Sequence, residues 1–497
     1  MKKYKEDIFC FLLLGIVIFC ILLTNNLNGL DEIWIFNMAR NIANGLLPYK
    51  DFNMITTPGL PILCGAILKL FGTELLVMRI IAMFLNTSMI FCIYKILKLF
   101  NINKYWLRLI MIIITGMFIN ILAIDYNLFI LFIALTCLYI ELKNYYKTKN
   151  IYNYNKKNEF MLGIWAGCSI LMKQTTGIYF VIVFIGYKLL AVKNKEDFKE
   201  FLKIVITRLS GVMIPIILLL VYLTYNNIIS NFIDYAIWGI KNFSNSVPYI
   251  YLLKGETWYL AILLPVIIIS SFIIYIKRKE NILLILGAYS ISTIIVVYPI
   301  ADTVHLVIAG IIAIITGIYM LMKFYKNKIK AKIKAKDIYN VTKIINAFTQ
   351  IFIIVIILSV MLKLLFYIQN CSTYDKLLNF KYIPVSEDIE QQIIEVDKYI
   401  QEEKEEVYIL DATAAIYMIP LDRYNKNYDM FLIGNLGAND SKAIIDDLKK
   451  KKNAIILIQK EEKLMNWQTP KEVIEYIKDN YVKDGEVEIF DIYRKEK

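Results

Sequence analysis

This chain of 497 residues lacks several patterns that mark familiar soluble classes. It has no CxxC spacing, and of its seven cysteines six lie in apolar segments while Cys371 stands alone in the polar final quarter. We therefore expect neither a structural zinc site nor a disulfide framework. The final quarter has no glycine-rich phosphate loop, the chain has no internal repeat, and His305 is its only histidine.

Apolar residues are abundant: they make up 58% of the chain, and the mean hydropathy is +0.54. Repeated long apolar runs predict a polytopic helical membrane protein. No small-residue cleavage site follows the first run at 25–28, so we expect that run to remain as a span. The eleven candidate spans are about 8–24, 75–97, 106–122, 127–142, 160–173, 176–191, 204–223, 258–277, 281–298, 304–322 and 342–366.

The formal net charge of +13 first suggests nucleic-acid binding, but the distribution of the charge argues against it. With the N-terminus in the cytoplasm, the loops and flanks on that side hold 29 Lys and Arg residues. The loops and interfacial stretches between spans on the opposite side hold only Arg40, Lys50, Lys69, Lys173, Lys241 and Lys254. This asymmetry is typical of a plasma-membrane protein obeying the positive-inside rule, and it places the C-terminal residues outside the cytoplasm.

The first outer loop, 25–74, begins with an adjacent acidic pair, Asp31-Glu32, just beyond the first span. Acidic groups so near hydrocarbon are costly unless they have a function or a partner. The apolar spacing in 33–45 predicts an amphipathic helix lying on the membrane. The stretch 58–72 has the length of an interfacial or re-entrant segment.

From residue 371 the apolar runs shorten and acidic residues become more frequent, which divides the chain into 1–370 and 371–497. A basic low-complexity linker at 326–337 precedes the last predicted span. We predict a small extracytoplasmic α/β domain with a mixed or parallel sheet. Its predicted strands are 407–412, 429–434, 453–459 and 486–493, and its predicted helices are 386–402, 440–451 and 470–479.

Four pieces of sequence resemble the GT-C fold membrane glycosyltransferases, in particular the superfamily of protein O-mannosyltransferases and lipid A aminoarabinose transferases. They are Asp31-Glu32 with the following helix and 49–52, the stretch 57–79, LMKQTTG at 171–177, and YPIADTVHL at 298–306. One departure is Thr57-Pro58-Gly59, where many relatives have a double proline. The resemblance implies transfer of a sugar from a polyprenyl-phosphate donor to an extracytoplasmic protein, lipid or glycan, with inversion of the anomeric centre.

The resemblance carries over the role of catalytic base to Asp31. Glu32 is the second catalytic candidate, and we expect it either to support the groups around Asp31 or to position the acceptor. A base on the acceptor hydroxyl is what such a transfer requires. The competing interpretation is that Asp31 only caps the next helix, a common use of aspartate.

Cationic and polar groups at the outer surface are candidates for binding the donor phosphate. Lys173 and Gln174 lie at the outer end of the fifth predicted span, and Arg79 lies near the outer start of the second. The alternative for Lys173 is that its ammonium only reaches toward lipid headgroups.

The remaining site candidates are Asp51, Asp125, Asp302 and His305. Asp51 and Asp125 could instead make turns, and the i, i+3 pair of Asp302 and His305 could be merely packed or solvated. No metal ligand set is assigned, but convergence of Asp31 with Asp51, Asp125 and His305 would suit Mg²⁺ or Mn²⁺.

Two rival functions remain. A transporter or flippase of lipid-linked sugars would also have many spans, but it often shows similar halves, and no repeat occurs here. A noncatalytic envelope-assembly protein would use the C-terminal domain only for binding. The acidic first loop favours catalysis over both.

Overall fold

The computed structural model of the chain describes residues 2–27, 30–242, 247–324, 335–371, 374, 376–451, 453–461 and 469–495. Most of the predicted basic linker at 326–337 lies outside these residues. The helices of the first 370 residues are α1 (Lys2–Thr24), α2 (Leu30–Ala43), α3 (Gly59–Phe71), α4 (Leu75–Leu99), α5 (Lys104–Phe118), α6 (Tyr126–Thr148), α7 (Lys156–Met172), α8 (Gln174–Gly186), α9 (Lys195–Tyr225), α10 (Ile229–Phe232), α11 (Trp258–Arg278), α12 (Asn281–Ile294), α13 (Thr303–Phe324) and α14 (Ala335–Asn370).

Within the described ranges, nine helices are at least 18 residues long and apolar enough to cross a membrane. Every one of the eleven predicted spans coincides with a helix. Two of these helices are shorter than the nine: α7 has 17 residues, and α12 continues only as a 3₁₀ turn to Val297. The chain is therefore a polytopic helical protein, as predicted.

Helices α7 and α9 approach each other closely because glycine faces backbone at their crossing. A Cβ atom on Gly163 would lie 2.2 Å from the carbonyl oxygen of Arg208, and one on Gly211 would lie 2.3 Å from that of Phe160. Small residues let helix backbones touch inside a membrane, where apolar surface alone does not drive association. α7 ends at Met172 and leads directly into Lys173.

The two helices predicted in the first outer loop are present as α2 and α3. Nine of the fourteen residues of α2 are buried, because α2 packs between α3 and the C-terminal residues. Its position at the membrane surface stays a prediction. The apolar spacing that suggested a lipid-facing stripe is a protein-facing one.

The C-terminal residues form a small mixed sheet with helices, as predicted. Its helices are α15 (Glu387–Glu402), α16 (Ala414–Met418), α17 (Ser441–Lys450) and α18 (Lys471–Asn480), and its strands are β1 (Val407–Ile409), β2 (Ile455–Gln459), β3 (Tyr481–Val487) and β4 (Phe490–Lys495). The strand order is β1-β2-β4-β3, with β1 parallel to β2 and the other two pairings antiparallel.

Two strand predictions in this domain were wrong. Residues 429–434 are turn and irregular structure that contacts the first outer loop: the Asp429 carboxylate accepts a hydrogen bond from Asn41, and the carbonyl oxygen of the neighbouring Asn435 accepts one from Asn53. Residues 486–493 are not one strand: they cross the hairpin turn between β3 and β4. A run of alternating apolar residues does not reveal a tight turn when Glu488 supplies the positive φ of 50° that glycine usually provides.

The C-terminal domain sits directly on the first outer loop. The Trp34 indole nitrogen donates to the carbonyl oxygen of Ala412 at 2.7 Å, and the backbone nitrogen of Leu27 donates to the carbonyl oxygen of Pro384 at 2.8 Å. Apolar side chains of both regions belong to one continuous buried core. The C-terminal domain and the Asp31 loop therefore lie on the same side of the membrane helices.

Candidate functional site

Five ionisable side chains from four separate segments come together at one end of the membrane helices. The charges of four of them act on the carboxyl group of Asp31. We call this group the Asp31 cluster; its members are Asp31, Asp125, Lys173, Asp302 and His305. All five were candidate site residues in the sequence, although they lie up to 274 positions apart.

Asp31 is the second residue of α2, one position after the helix begins at Leu30. It therefore lies inside the first turn and not at the capping position. Its side chain is open to solvent, but protein surrounds it on several sides. This burial, with the negative charges of Asp125 and Asp302, raises the pKa of Asp31 to about 6, and His305 and Lys173 oppose the rise.

Asp125 serves as the N-cap of α6 and as a member of the cluster. Its carboxylate accepts hydrogen bonds from the backbone nitrogens of Asn127 at 2.7 Å and Leu128 at 3.2 Å. Burial raises its pKa, while Lys173 and His305 oppose the rise. Asp125 therefore has the local role expected of a turn aspartate, and it also lies near Asp31.

Lys173 interrupts the helical path between α7 and α8 with an extended backbone at φ −155° and ψ 115°. Its Nζ atom lies 4.7 Å from the ring centroid of Tyr126, the residue that follows Asp125. Burial lowers the pKa of the Lys173 ammonium, and the charges of Asp125 and Asp31 oppose that shift. The ammonium therefore faces the cluster.

Asp302 and His305 form a pair at the start of α13, as their i, i+3 spacing predicted. One carboxylate oxygen of Asp302 lies 2.8 Å from His305 Nδ1 and accepts a hydrogen bond from the His305 backbone nitrogen at 2.8 Å. Burial acts to raise the pKa of Asp302, but the hydrogen bond and charge of His305 outweigh it and the pKa is lowered. Asp302 thus holds the imidazole ring in a fixed orientation.

Glu32 and Arg79 lie together, apart from the cluster. Arg79 Nε and one terminal nitrogen each lie 3.1 Å from a different carboxylate oxygen of Glu32. The remaining donors reach the backbone carbonyl oxygens of Leu22, Asn25 and Asn26. All five guanidinium N–H groups are therefore in use, and a donor phosphate would have to displace one of these bonds. Roles for Glu32 and Arg79 at the substrate stay predictions.

Gln174 and Asp51 hold the first outer loop in place. The Gln174 side chain accepts from the backbone nitrogen of Thr57 at 3.0 Å and donates to the carbonyl oxygens of Ile55 and Ala236. Asp51 accepts from the backbone nitrogen of Leu47 at 2.7 Å, the turn contact that was the alternative to a site role. Substrate-binding roles for both residues stay predictions.

A second charged cluster was missed by the sequence reasoning. We call it the Glu141 cluster: Glu141, Glu159, Lys188 and Arg208, all with side chains at most 6% exposed. Arg208 Nε lies 2.6 Å from Glu159, Arg208 and Tyr187 both donate to Glu141, and Lys188 Nζ lies 3.3 Å from Glu141. The signal was available, because Glu141 and Arg208 interrupt or border the predicted spans 127–142 and 204–223.

A divalent cation would need several carboxylate or imidazole ligands within bonding distance of one point. Across the described ranges, no three His, Cys, Asp or Glu side chains come close enough to hold a metal. Asp51, one of the four residues considered for such a site, is engaged at its own turn. A requirement for Mg²⁺ or Mn²⁺ therefore stays a prediction, and we derive no step through a metal.

No protein-family model and no curated protein sequence matches this chain. Its structure is similar to crystal structures of ArnT from Cupriavidus metallidurans. The structure bound to undecaprenyl phosphate matches with a TM-score of 0.57 and 12% identity, over 98% of this chain and 97% of ArnT. The apo structure matches with a TM-score of 0.56 over 99% and 98%.

An oligosaccharyltransferase from Archaeoglobus fulgidus, tethered with an acceptor peptide, matches with a TM-score of 0.46 and 10% identity, over 84% of this chain and 63% of its own. That score is too low to support an inference. The ArnT match, over nearly the whole of both chains, shows that this chain has the GT-C fold, as the sequence resemblance implied.

Proposed function

We propose that the protein is a membrane glycosyltransferase that moves a sugar from a polyprenyl-phosphate-linked donor to an acceptor outside the cytoplasm. The observation that carries the proposal is the Asp31 cluster: a solvent-open carboxyl group with a pKa of about 6 beside an ammonium, at one end of the membrane helices. Perturbed ionisable groups converging in this way are typical of catalytic sites. The shared fold with ArnT, crystallised with undecaprenyl phosphate, supports the donor class.

In the proposed step, the acceptor hydroxyl oxygen attacks the anomeric carbon of the donor sugar. Asp31 takes the hydroxyl proton as the new C–O bond forms. The bond between the anomeric carbon and the phosphate oxygen breaks, and its electron pair stays on the polyprenyl phosphate. A single displacement of this kind inverts the anomeric centre.

Lys173 is placed to stabilise the charge that the departing phosphate gains. Its ammonium is the only lysine or arginine cation in the Asp31 cluster, and its surroundings are partly dry. A positive charge is worth more there than in bulk water. The Asp302–His305 pair borders the same space and is proposed to line the donor or acceptor site.

A transfer assay with purified protein in proteoliposomes tests the function. A radiolabelled polyprenyl-phosphate sugar is supplied with a cell-envelope extract as acceptor, and label in the organic phase is compared with label in polymer, protein or a new lipid. We expect label to leave the polyprenyl carrier, and the Asp31→Asn variant to abolish most of this transfer. Movement of intact donor across the bilayer without cleavage would instead establish the flippase alternative.

The same assay addresses the metal. Dialysis against EDTA, followed by readdition of Mg²⁺ or Mn²⁺, measures whether transfer depends on a divalent cation. Because the described side chains form no ligand set for one, we expect transfer to survive chelation. Loss with EDTA and recovery with Mn²⁺ would require substrate groups to complete a metal site.

A further inference from the structure

The contacts between α2 and the C-terminal domain lie along one side of the helix. Trp34, Asn37, Asn41 and Asn44 follow each other at intervals of three and four residues, which places them on neighbouring turns of a single stripe. Three of them bond to the domain: Trp34 to Ala412, Asn41 to Asp429 at 3.2 Å, and Asn44 to the Tyr424 hydroxyl at 2.6 Å. Asp31 precedes Trp34 by three residues, so it continues the same stripe one turn earlier.

Arg40 makes the most extensive contact of this interface. It is fully buried, and one of its terminal nitrogens donates to Asp422 at 2.9 Å and to the carbonyl oxygen of Arg423 at 3.0 Å. Its guanidinium carbon lies 4.6 Å from the ring centroid of Tyr424. A buried guanidinium held by a carboxylate, a carbonyl and an aromatic ring tolerates little displacement.

The segment of the C-terminal domain that receives Arg40 is itself fastened to the sheet. Asn425, which is fully buried, donates to the carbonyl oxygen of Ile409 at 2.7 Å and accepts from the Ile409 backbone nitrogen at 3.0 Å. Ile409 is the last residue of β1. The same strand leads to Ala412, the partner of Trp34, so both ends of the interface are fixed to one rigid strand.

From these contacts we infer that the C-terminal domain positions Asp31, and that Arg40 is the positioning residue through which it acts. This inference rests on the proposed function, in which Asp31 is the base. Arg40 lies nine residues from Asp31, about 13 Å along the helix at 1.5 Å per residue, so it touches neither substrate nor reacting atom. Arg40 instead sets the position of α2 along the helix axis and its rotation about that axis. These two quantities determine where Asp31 meets the acceptor.

Positional precision matters for the proposed step. Displacement of a reacting group by about 1 Å can cost roughly 100-fold in rate. Helix α3 supports the other side of α2, where a Cβ atom on Gly65 would lie 2.8 Å from the carbonyl oxygen of Ala39. Without the C-terminal domain, α2 would keep its contacts with α3 and the Glu32–Arg79 ion pair, and would lose those made by Trp34, Asn41 and Arg40.

The test combines a catalytic and a chemical readout. Arg40→Gln is compared with Arg494→Gln, which removes an arginine of β4 that pairs with Glu403 and Asp484 and makes no contact with α2 among the hydrogen bonds and ion pairs of the described residues. We expect Arg40→Gln to lower kcat roughly 10- to 100-fold with donor KM unchanged and to shift the acid limb of the pH–rate profile. Arg494→Gln should leave that limb where it is.

The chemical readout is independent of catalysis. In a chain whose seven native cysteines are replaced, Asp31→Cys is alkylated with a charged maleimide across a pH series. We expect Arg40→Gln to change the alkylation rate of Cys at 31 by threefold or more, and Arg494→Gln to leave it within about 1.5-fold.

Equal alkylation with and without Arg40, or an equal change in Arg494→Gln, would overturn the inference. If Arg40→Gln does not fold, Asp422→Asn removes the partner carboxylate, whose side chain is 57% exposed, and should shift both readouts in the same direction. A fully active Asp31→Asn variant would remove the proposed function while leaving the alkylation result interpretable, so the two failures are distinguishable.

Discussion

The two charged clusters of the membrane helices differ in how their charges are satisfied. In the Glu141 cluster two carboxylates face two cations, every member has a partner at hydrogen-bonding or ion-pairing distance, and all are buried. In the Asp31 cluster three carboxylates face one ammonium and one imidazole, and Asp31 and Asp302 reach solvent.

This difference separates a structural role from a chemical one. A balanced, dry set of ion pairs fixes helices relative to one another and has no group left to react. An unbalanced set with shifted pKa values and access to solvent can take up a proton or hold a phosphate. The ion-pair partners of a charged side chain inside a membrane helix bundle must therefore be identified before a function is assigned to that side chain.

The largest expected effect is on turnover in Asp31→Asn. Asparagine keeps the shape of aspartate but cannot accept a proton from an acceptor hydroxyl, so transfer should fall about 100- to 10,000-fold. Folding and donor binding should persist. Glu256→Gln is the matched control, because Glu256 is an exposed carboxylate of a segment predicted to lie on the same outer side. Near-normal transfer by Asp31→Asn would mean that the Asp31 cluster has no chemical role to distinguish it from the Glu141 cluster.

Arg208→Gln should act on stability instead. It leaves Glu141 and Glu159 buried without their shared guanidinium, and loss of one partner from a buried ion pair typically costs about 3–5 kcal/mol. Thermal unfolding in detergent should show a clearly lowered midpoint, while the folded fraction retains its turnover per molecule. A stable variant with lost turnover would mean that the Glu141 cluster has a chemical role of its own.

Lys173→Gln is the reciprocal experiment. Loss of one group that stabilises developing charge commonly costs on the order of 100-fold in rate, and we expect the loss to appear with the donor and not with the acceptor. The unfolding midpoint should change less than in Arg208→Gln, because no carboxylate forms a direct ion pair with Lys173 among the described residues. Unchanged donor kinetics would favour headgroup contact as the role of this lysine.

The pH dependence gives a smaller effect with a definite sign. Asp31 acts as a base only when ionised, so turnover should fall as the pH drops through about 6. Lys173 lowers this pKa and Asp125 raises it. As the pH is lowered, the residual turnover of Lys173→Gln should therefore begin to fall at a higher pH than that of the unsubstituted protein. The residual turnover of Asp125→Asn should begin to fall at a lower pH. Identical limbs in both variants would show that these groups do not act on the base.

The least disruptive test concerns sidedness and should leave activity unchanged. Single cysteines replace the exposed residues Glu256, Asn480 and Lys195 in a background whose native cysteines do not react. An impermeant thiol reagent on intact cells should label the cysteines at 256 and 480, and should label the one at 195 only after permeabilisation. The predicted orientation would be contradicted if the cysteine at 480, like the one at 195, were labelled only after permeabilisation.

The sequence predicted the helices well, because membrane spans are recognisable by their length and apolarity. It also supplied all five members of the Asp31 cluster as candidates, because these residues lie at or near the ends of predicted spans. It failed where contacts decide the outcome. Asp31 and Glu32 have different roles in the sequence-based prediction, but only the fold reveals that Glu32 pairs with Arg79. The surroundings of α2 were likewise invisible, because the domain that covers it lies more than 340 positions later in the chain.

The strand order β1-β2-β4-β3 has a consequence for how the protein is made. β4, residues Phe490–Lys495, lies between β2 and β3 and pairs with both, so the sheet is incomplete until these residues have left the ribosome. Helix α2 is synthesised more than 440 residues earlier and is without its complete cover during that interval. Assembly of the interface between α2 and the C-terminal domain therefore waits for the last strand of the sheet.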